Sequence, residues 1–132
     1  MRLSNTPEGR RLDVSRSVSS SPEAAWELLT DPRQWPDWGP SVTGVRYPHD
    51  RIRPDTEGKV RLPGGLWVPF RIDACKPYRW TWNVAHVPAT GHRVEPVPDG
   101  CRVVFEVPLF AAGYAPVCSR ALDRIEAILE EE

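Results

Sequence analysis

No stretch of this chain approaches the roughly 20 consecutive apolar residues that a membrane helix needs. Met1 to Arg11 has no apolar run either, so a secretory leader is not expected. Cysteine is scarce. Cys75, Cys101 and Cys118 are odd in number and widely spaced, with no Cys-x-x-Cys pair. That argues against a disulfide framework or a zinc knuckle, and for reduced, mostly buried thiols. An excess of one charge is also missing: the net charge is −1, with both signs scattered. Electrostatic capture of nucleic acid or of an acidic membrane is therefore not expected. The densest basic stretch, Arg46, Arg51, Arg53, Lys59 and Arg61, is broken by Asp50, Asp55 and Glu57 and reads as a solvated face. Familiar catalytic signatures are absent too. Gly64-Gly65 is a turn and not a phosphate loop, and no serine has a nucleophile-elbow context. Glu95 and Glu106 are expected on outward strand faces. No cofactor is expected. These absences describe a soluble, cytoplasmic protein without integral membrane association.

What the chain does hold is 15 prolines and six tryptophans in 132 residues. So many prolines exclude a helical bundle and suggest many turns and strand ends. Six tryptophans are too many for chance surface placement and must line a core, a pocket or an interface. The length is that of one domain, able to bury about two-thirds of its unfolded surface. Residues 1–10 are polar and expected to be loose, and residues 11–132 form the domain.

Leu12 to Val18 alternates as a strand with one buried side, interrupted by Arg16. Ser21 is then a good N-cap, with Pro22 at the first helical position and Glu23 in the first turn. Trp26, Leu29 and Ala25 supply the apolar stripe, and Asp31-Pro32 stops the helix. A short second helix is expected around Arg33 to Trp35, closed by Pro36 and Pro40. From Thr43 onward the chain reads as strands. Val68, Phe70 and Ile72 share one face of Leu66–Cys75. Trp80, Trp82, Val84 and His86 share one face of Arg79–His86. His92–Val97 follows a turn at Val87 to Gly91. In the last strand, Cys101–Leu109, residues Cys101, Val103, Phe105, Val107 and Leu109 lie together. Short loops imply an antiparallel meander. Cys118, Leu122, Ile125 and Leu129 then form the stripe of a C-terminal helix, whose acidic end, Glu130 to Glu132, is expected to fray.

This order predicts an α+β fold. A curved antiparallel β-sheet of about six or seven strands wraps around a long C-terminal α-helix, with a short helix pair after the first strand. Curvature leaves room between sheet and helix, widest where the short helices meet the sheet's end.

The chain resembles the START-like, or helix-grip, superfamily, which includes the SRPBCC ligand-binding proteins, the polyketide cyclase/dehydrase group and Bet v 1-like proteins. The likeness rests on Val14 to Val18 leading into Ser21-Pro22-Glu23-Ala24-Ala25-Trp26, then on Asp31-Pro32 and Trp35-Pro36-Asp37-Trp38. Pro77 before the Trp80–Trp82 strand, the hairpin Asp99-Gly100 and the helix through Leu122 to Leu129 add to it. It spans roughly residues 12–130. It implies an internal apolar cavity, often for a lipid, sterol, hormone, polyketide or other aromatic molecule. It does not imply one reaction.

Phe70, Trp80, Trp82 and Phe105 are candidates for an aromatic cavity wall, the competing reading being plain core packing. Tyr114, at the start of the terminal helix, and Cys118 on its inner stripe complete the candidate ligand-binding set with Trp35 and Trp38. These two close the cavity's end if turned inward and mark a partner surface, with Trp67, if turned outward. His86 and His92 are candidates for proton transfer across a hairpin, against an exposed pair at its mouth. Arg16 is a candidate cavity cation, against an arginine reaching solvent. His49 lies in a loop, and no metal site is expected. The first function expected is binding of a small hydrophobic or aromatic molecule. The second is a cyclase, dehydratase or aromatase-like enzyme, with His86, His92, Tyr114 and Arg16 as the candidates to assist proton transfer, and the third an interaction protein with a collapsed cavity. A homodimer stays open.

Overall fold

The computed structural model describes residues 1–130. Its strands are β1 (Arg2–Thr6), β2 (Gly9–Val18), β3 (Gly44–Arg46), β4 (Thr56–Arg61), β5 (Trp67–Lys76), β6 (Arg79–Val84), β7 (Val87–Val97) and β8 (Gly100–Pro108). Between β2 and β3 lie α1 (Pro22–Thr30), a 3₁₀ turn (Pro32–Gln34) and α2 (Trp35–Trp38). After β8 a 3₁₀ segment (Leu109–Tyr114) leads into α3 (Ala115–Glu130). All eight strands join one sheet in the order β1-β2-β8-β7-β6-β5-β4-β3, and every pairing is antiparallel. The helix-grip expectation holds, with one strand more than expected.

That extra strand is β1. The segment 1–10, expected to be loose, instead pairs with β2 from Arg2↔Asp13 to Thr6↔Gly9. The Ser4 hydroxyl donates to Asp13 Oδ1 at 2.8 Å, and Glu8 in the turn meets Arg79 at 2.5 Å. The strand is held by backbone pairing and polar contacts. Its one large apolar residue besides Met1, Leu3, is half exposed, so no alternation marks it.

The helix starts and stops as its residues dictate. Ser21 Oγ accepts from the Ala24 amide at 3.1 Å and caps α1. Asp31 ends α1, then caps the 3₁₀ turn by accepting from the Arg33 amide at 3.0 Å. The guanidinium of Arg33, hydrogen-bonded to this nearly buried carboxylate, holds Asp31 below the usual carboxylate range. The buried face of α1 is Ala25, Leu28 and Leu29. Trp26 is only half buried, edge-on to Tyr78 at 5.7 Å.

The apolar strand faces do point inward. Phe70, Ile72, Trp80, Cys101, Val103, Phe105 and Val107 are all buried under α3, α1 and α2. From α3 come Cys118, Ala121, Leu122, Ile125 and Leu129. Full burial of each Leu or Ile contributes about 1.5–3 kcal/mol, so this stripe carries most of the helix's attachment. The far end of α3 is tied by Ser20 Oγ, which donates to the Leu129 carbonyl at 3.1 Å. α3 runs to Glu130, and the rest of the acidic end lies outside the described residues.

One hairpin differs from expectation. The β6–β7 turn is not Val87 to Gly91 but the two residues Ala85 and His86, both left-handed with φ of 53° and 67°. Two positive φ values are what a tight I′ hairpin requires. Gly91 belongs to β7, where a Cβ would stand 2.6 Å from Glu106 Oε1. Its glycine serves close approach, not a turn.

Candidate functional site

Two bulges shape the inner face around Trp82. In the β5–β6 pair the register slips between Ile72 and Ala74, and in the β6–β7 pair it slips between Thr81 and Asn83. Trp82 sits between the two. Bulges bend a strand and re-aim its side chains, and beside them an opening lies at one end of the sheet, lined in part by the tips of β6 and β7.

That opening is a cavity of about 530 Å³. Its walls come from the loop after α2 (Ser41, Val42), the β4–β5 tip (Leu62, Pro63), the β6–β7 tip and the 3₁₀ segment. Every wall residue is apolar except Ser41, Thr90 and Tyr114, which bring hydroxyls. Phe110 and Val87 stand at the wall with 71% and 49% of their surface exposed, so apolar side chains are presented where the cavity meets solvent. Behind it lies a second cavity of only about 40 Å³, bounded by Trp35, Trp38, Trp80, His92, Phe105 and Cys118 among others. Ser41, Val42, Trp82, Thr90 and Tyr114 line both and form the neck between them.

The inner half is small because tryptophan fills it. Trp35 is 1% exposed, stacks on Trp80 at 5.3 Å with an interplanar angle of 6°, and meets Phe70 and Trp82 edge-on. Its Nε1 donates to the Leu29 carbonyl at 2.9 Å. Trp38 packs edge-on to Phe105 and His92. Both helix-pair tryptophans are thus turned inward. Trp67 is half buried on the outer face, beneath Arg46 at 4.2 Å.

The candidate residues divide accordingly. Trp82 and Tyr114 lie on the wall of the large cavity, while Trp35, Trp38, Trp80, Phe105 and Cys118 border only the small one. Phe70 borders neither and packs against Trp35, Tyr47 and Trp82. Residues the sequence reading missed are Val42, Leu62, Val84, Val87, Pro88, Ala89, Thr90 and Phe110. Alternation puts Val84 on the face of Trp80 and Trp82; the others sit at strand ends and in loops, where periodicity carries no signal.

His86 and His92 do not meet. His86 is exposed in the turn, whereas His92 is 2% exposed, stacked on Trp80 at 3.9 Å. Its Nε2 shares a hydrogen bond of 2.9 Å with Thr90 Oγ1. Burial pushes the His92 imidazole down to about 3, so it is uncharged at neutral pH. Burial likewise pushes the Cys118 thiol up to about 12 and raises Tyr114, whose hydroxyl pairs with Ser41. Neither is poised as a nucleophile or base. Arg16 does not enter the cavity. It reaches α3, pairing with Asp123 at 2.7 Å and Glu126 at 3.0 Å. No cluster of three or more His, Cys, Asp or Glu able to hold a metal occurs among the described residues. None of the described helices is long and apolar enough to cross a membrane.

The outer face carries a charged network that the sequence reading did not foresee. Arg71 is half-buried and pairs with Asp55 at 2.6 Å. Glu106 does face outward, yet it is 1% exposed. Arg79 and Arg93 clamp it at 2.7 and 2.8 Å, and Arg93 also holds buried Asp13 at 2.9 Å. Both carboxylates are matched and hydrogen-bonded, which is the condition for burying them. The network ties β1 and β2 to β6 and β7 and is separated from the cavity by the sheet.

A family model described as polyketide cyclase / dehydrase and lipid transport matches residues 10–130. Among curated proteins, the uncharacterised protein Rv2574 of Mycobacterium tuberculosis is 28% identical over 107 residues, covering 74% of this chain and 64% of that protein. The chain thus spans just under two-thirds of the length of the curated relatives it matches. Among solved structures, protein MLL2253 of Mesorhizobium loti superposes with a TM-score of 0.74 at 19% identity, over 92% of this chain and 98% of that one. XoxI of Bacillus cereus does so with a TM-score of 0.70 at 15% identity, over 92% and 96%. At such identities the structures speak for the fold alone. The match along nearly the whole sequence goes further: this chain belongs to the polyketide cyclase/dehydrase and lipid transport family.

Proposed function

We propose that this protein binds a small hydrophobic or aromatic molecule in the cavity between the strand tips, the loop after α2 and the start of α3, without covalent chemistry. The observation that carries the reading is the cavity of about 530 Å³, apolar but for three hydroxyl side chains and open beside exposed Phe110 and Val87. Its size falls within the range usual for small-molecule sites, about 300–1,000 Å³. Trp82 and Tyr114 both line the neck and supply flat aromatic surface, suited to stacking or edge contact with a planar ligand.

The cyclase or dehydratase reading has less behind it. General acid–base catalysis needs a group that titrates near the working pH. His92, the one imidazole bordering either cavity, is far from that range. Interaction through an exposed tryptophan cluster is disfavoured because Trp35 and Trp38 are buried.

Native mass spectrometry of the purified protein tests the proposal, followed by extraction and titration with aromatic and aliphatic probes while Trp fluorescence is read. A co-purified molecule, or saturable quenching that Trp82→Phe abolishes, supports it. An empty protein whose fluorescence no probe alters refutes it.

A further inference from the structure

The walls of both cavities share one property. Their lining residues include no Asp, Glu, Lys or Arg. A carboxylate, phosphate or ammonium group carried inside would therefore find no opposite charge, and an unpaired buried charge is costly. The interior is nonetheless not free of polar atoms. Ser41, Thr90 and Tyr114 bring three hydroxyls to the neck from three separate elements, and Thr90 Oγ1 lies 3.5 Å from Trp82 Nε1. Deeper in, the indole N–H groups of Trp38 and Trp80 are buried without a hydrogen-bond partner. Both tryptophans border the 40 Å³ cavity. An indole nitrogen only donates, so each of these groups calls for an acceptor oxygen. The small cavity itself has room for an oxygen-sized group and little more.

We infer that the neck and the small cavity together form a subsite for one uncharged oxygen of the ligand, a hydroxyl or a carbonyl, while the apolar body of the ligand fills the larger cavity. The inference rests on the binding reading above and narrows it to neutral ligands with a single polar end. The ligand enters head first. Its oxygen takes hydrogen bonds from Thr90 or Tyr114, and the Ser41–Tyr114 hydroxyl pair exchanges partners to admit it. Ring or chain then lies along Trp82, Val84, Ala89 and Phe110. A free acid of the same skeleton is rejected for want of a cation.

Three probes of one skeleton test this on the full chain at pH 7: naphthalene, 2-naphthol and 2-naphthoate. Binding is followed by calorimetry and by the indole N–H resonances of Trp38 and Trp82. The expected order is 2-naphthol tightest, by about threefold to tenfold over naphthalene, the size of one net hydrogen bond. The naphthoate anion is weaker than 2-naphthol by at least about tenfold. Thr90→Val and Tyr114→Phe, both near-isosteric, lower the ratio of 2-naphthol to naphthalene affinity. Equal binding of all three probes, or tightest binding of the naphthoate, overturns the subsite and leaves cavity binding standing. Failure of every probe to bind overturns both. The comparison among probes is made on the wild-type chain, so it stands whatever the variants do to folding.

Discussion

Trp35→Phe is the sharpest test of how this core is built. The substitution keeps an aromatic ring against Trp80 but removes the indole N–H and part of the ring volume. The Leu29 carbonyl, which now accepts from Trp35 Nε1 at 2.9 Å, belongs to the last turn of α1 and has no following helical amide to bond. Orphaning a buried acceptor costs about 1–3 kcal/mol. Shrinking a side chain that is 1% exposed leaves a void among Trp80, Phe70 and Trp82. By analogy with large-to-small core changes that adds about 1–2 kcal/mol. The two terms overlap, since a water entering the void can satisfy the carbonyl, so about 2–4 kcal/mol is expected. Against a total stability of about 5–15 kcal/mol this is large without being fatal. Urea unfolding followed by far-UV circular dichroism measures it, as a lower midpoint at unchanged slope. A loss under about 0.5 kcal/mol, the scale of an ordinary surface change, would refute the view that Trp35 plugs the inner half of the cavity.

Acid sensitivity should centre on His92. Its folded value of about 3 lies below the unfolded value of about 6.5, so above pH 6.5 it exerts no effect. As pH falls below that, the unfolded chain takes a proton that the folded chain refuses, and stability drops by up to about 1.4 kcal/mol per pH unit until the folded group also titrates. His92→Gln should flatten the stability profile between pH 6.5 and 4.5, above the range where Glu8 and Asp31, both held low by arginine partners, contribute; a parallel curve would count against it. Arg16→Gln removes the strap to α3, but Asp123 is 62% exposed and the pair is solvent-screened, so less than about 1 kcal/mol is expected. The difference should shrink further in 1 M salt, and a loss above 2 kcal/mol would mean that the ion pair, not the apolar stripe, fastens the helix. Gly58→Ala places a Cβ 2.6 Å from both the Arg46 carbonyl oxygen and the Phe70 ring, which should cost about 1–3 kcal/mol in urea unfolding.

The elements that sequence made legible are those where local chemistry and tertiary packing agree. Ser21, Pro22 and Asp31 set the ends of α1 by capping, and the four-three-four spacing of Cys118, Leu122, Ile125 and Leu129 sets the buried face of α3. Alternation likewise placed Phe70, Trp80 and Phe105 inside. What stayed hidden depends on contacts distant in sequence. β1 has no apolar face, so only pairing with β2 defines it. The Ala85-His86 turn lacks the glycine or asparagine that usually marks two left-handed residues, and Gly91 drew the turn to itself. Glu106 reads as an outward strand residue, and nothing local reveals that Arg79, 27 positions away, covers it. The cavity wall is harder still, because half of it comes from strand tips and connecting segments.

The tryptophans also explain why the cavity lies where it does. A curved sheet under a helix leaves a cleft along its whole length, and a cleft that stays empty loses dispersion contacts on both walls. This chain fills the end near α1 with Trp35, Trp38 and Trp80 and leaves the other end open, where Trp82 alone lines the wall. Filling one end stabilises the fold without a ligand; the open end remains free to take one. The same division separates the candidate residues by role. Trp35, Phe70 and Trp80 are packing residues whose loss lowers stability first and alters binding only through collapse. Trp82, Thr90 and Tyr114 stand at the boundary, where a change can alter binding while the packed end holds the fold. Trp82→Phe therefore makes the cleanest separation: with Trp35 and Trp80 intact, probe affinity should fall while the urea midpoint moves less than it does for Trp35→Phe. A larger loss of stability from Trp82 than from Trp35 would reverse the assignment of the two ends.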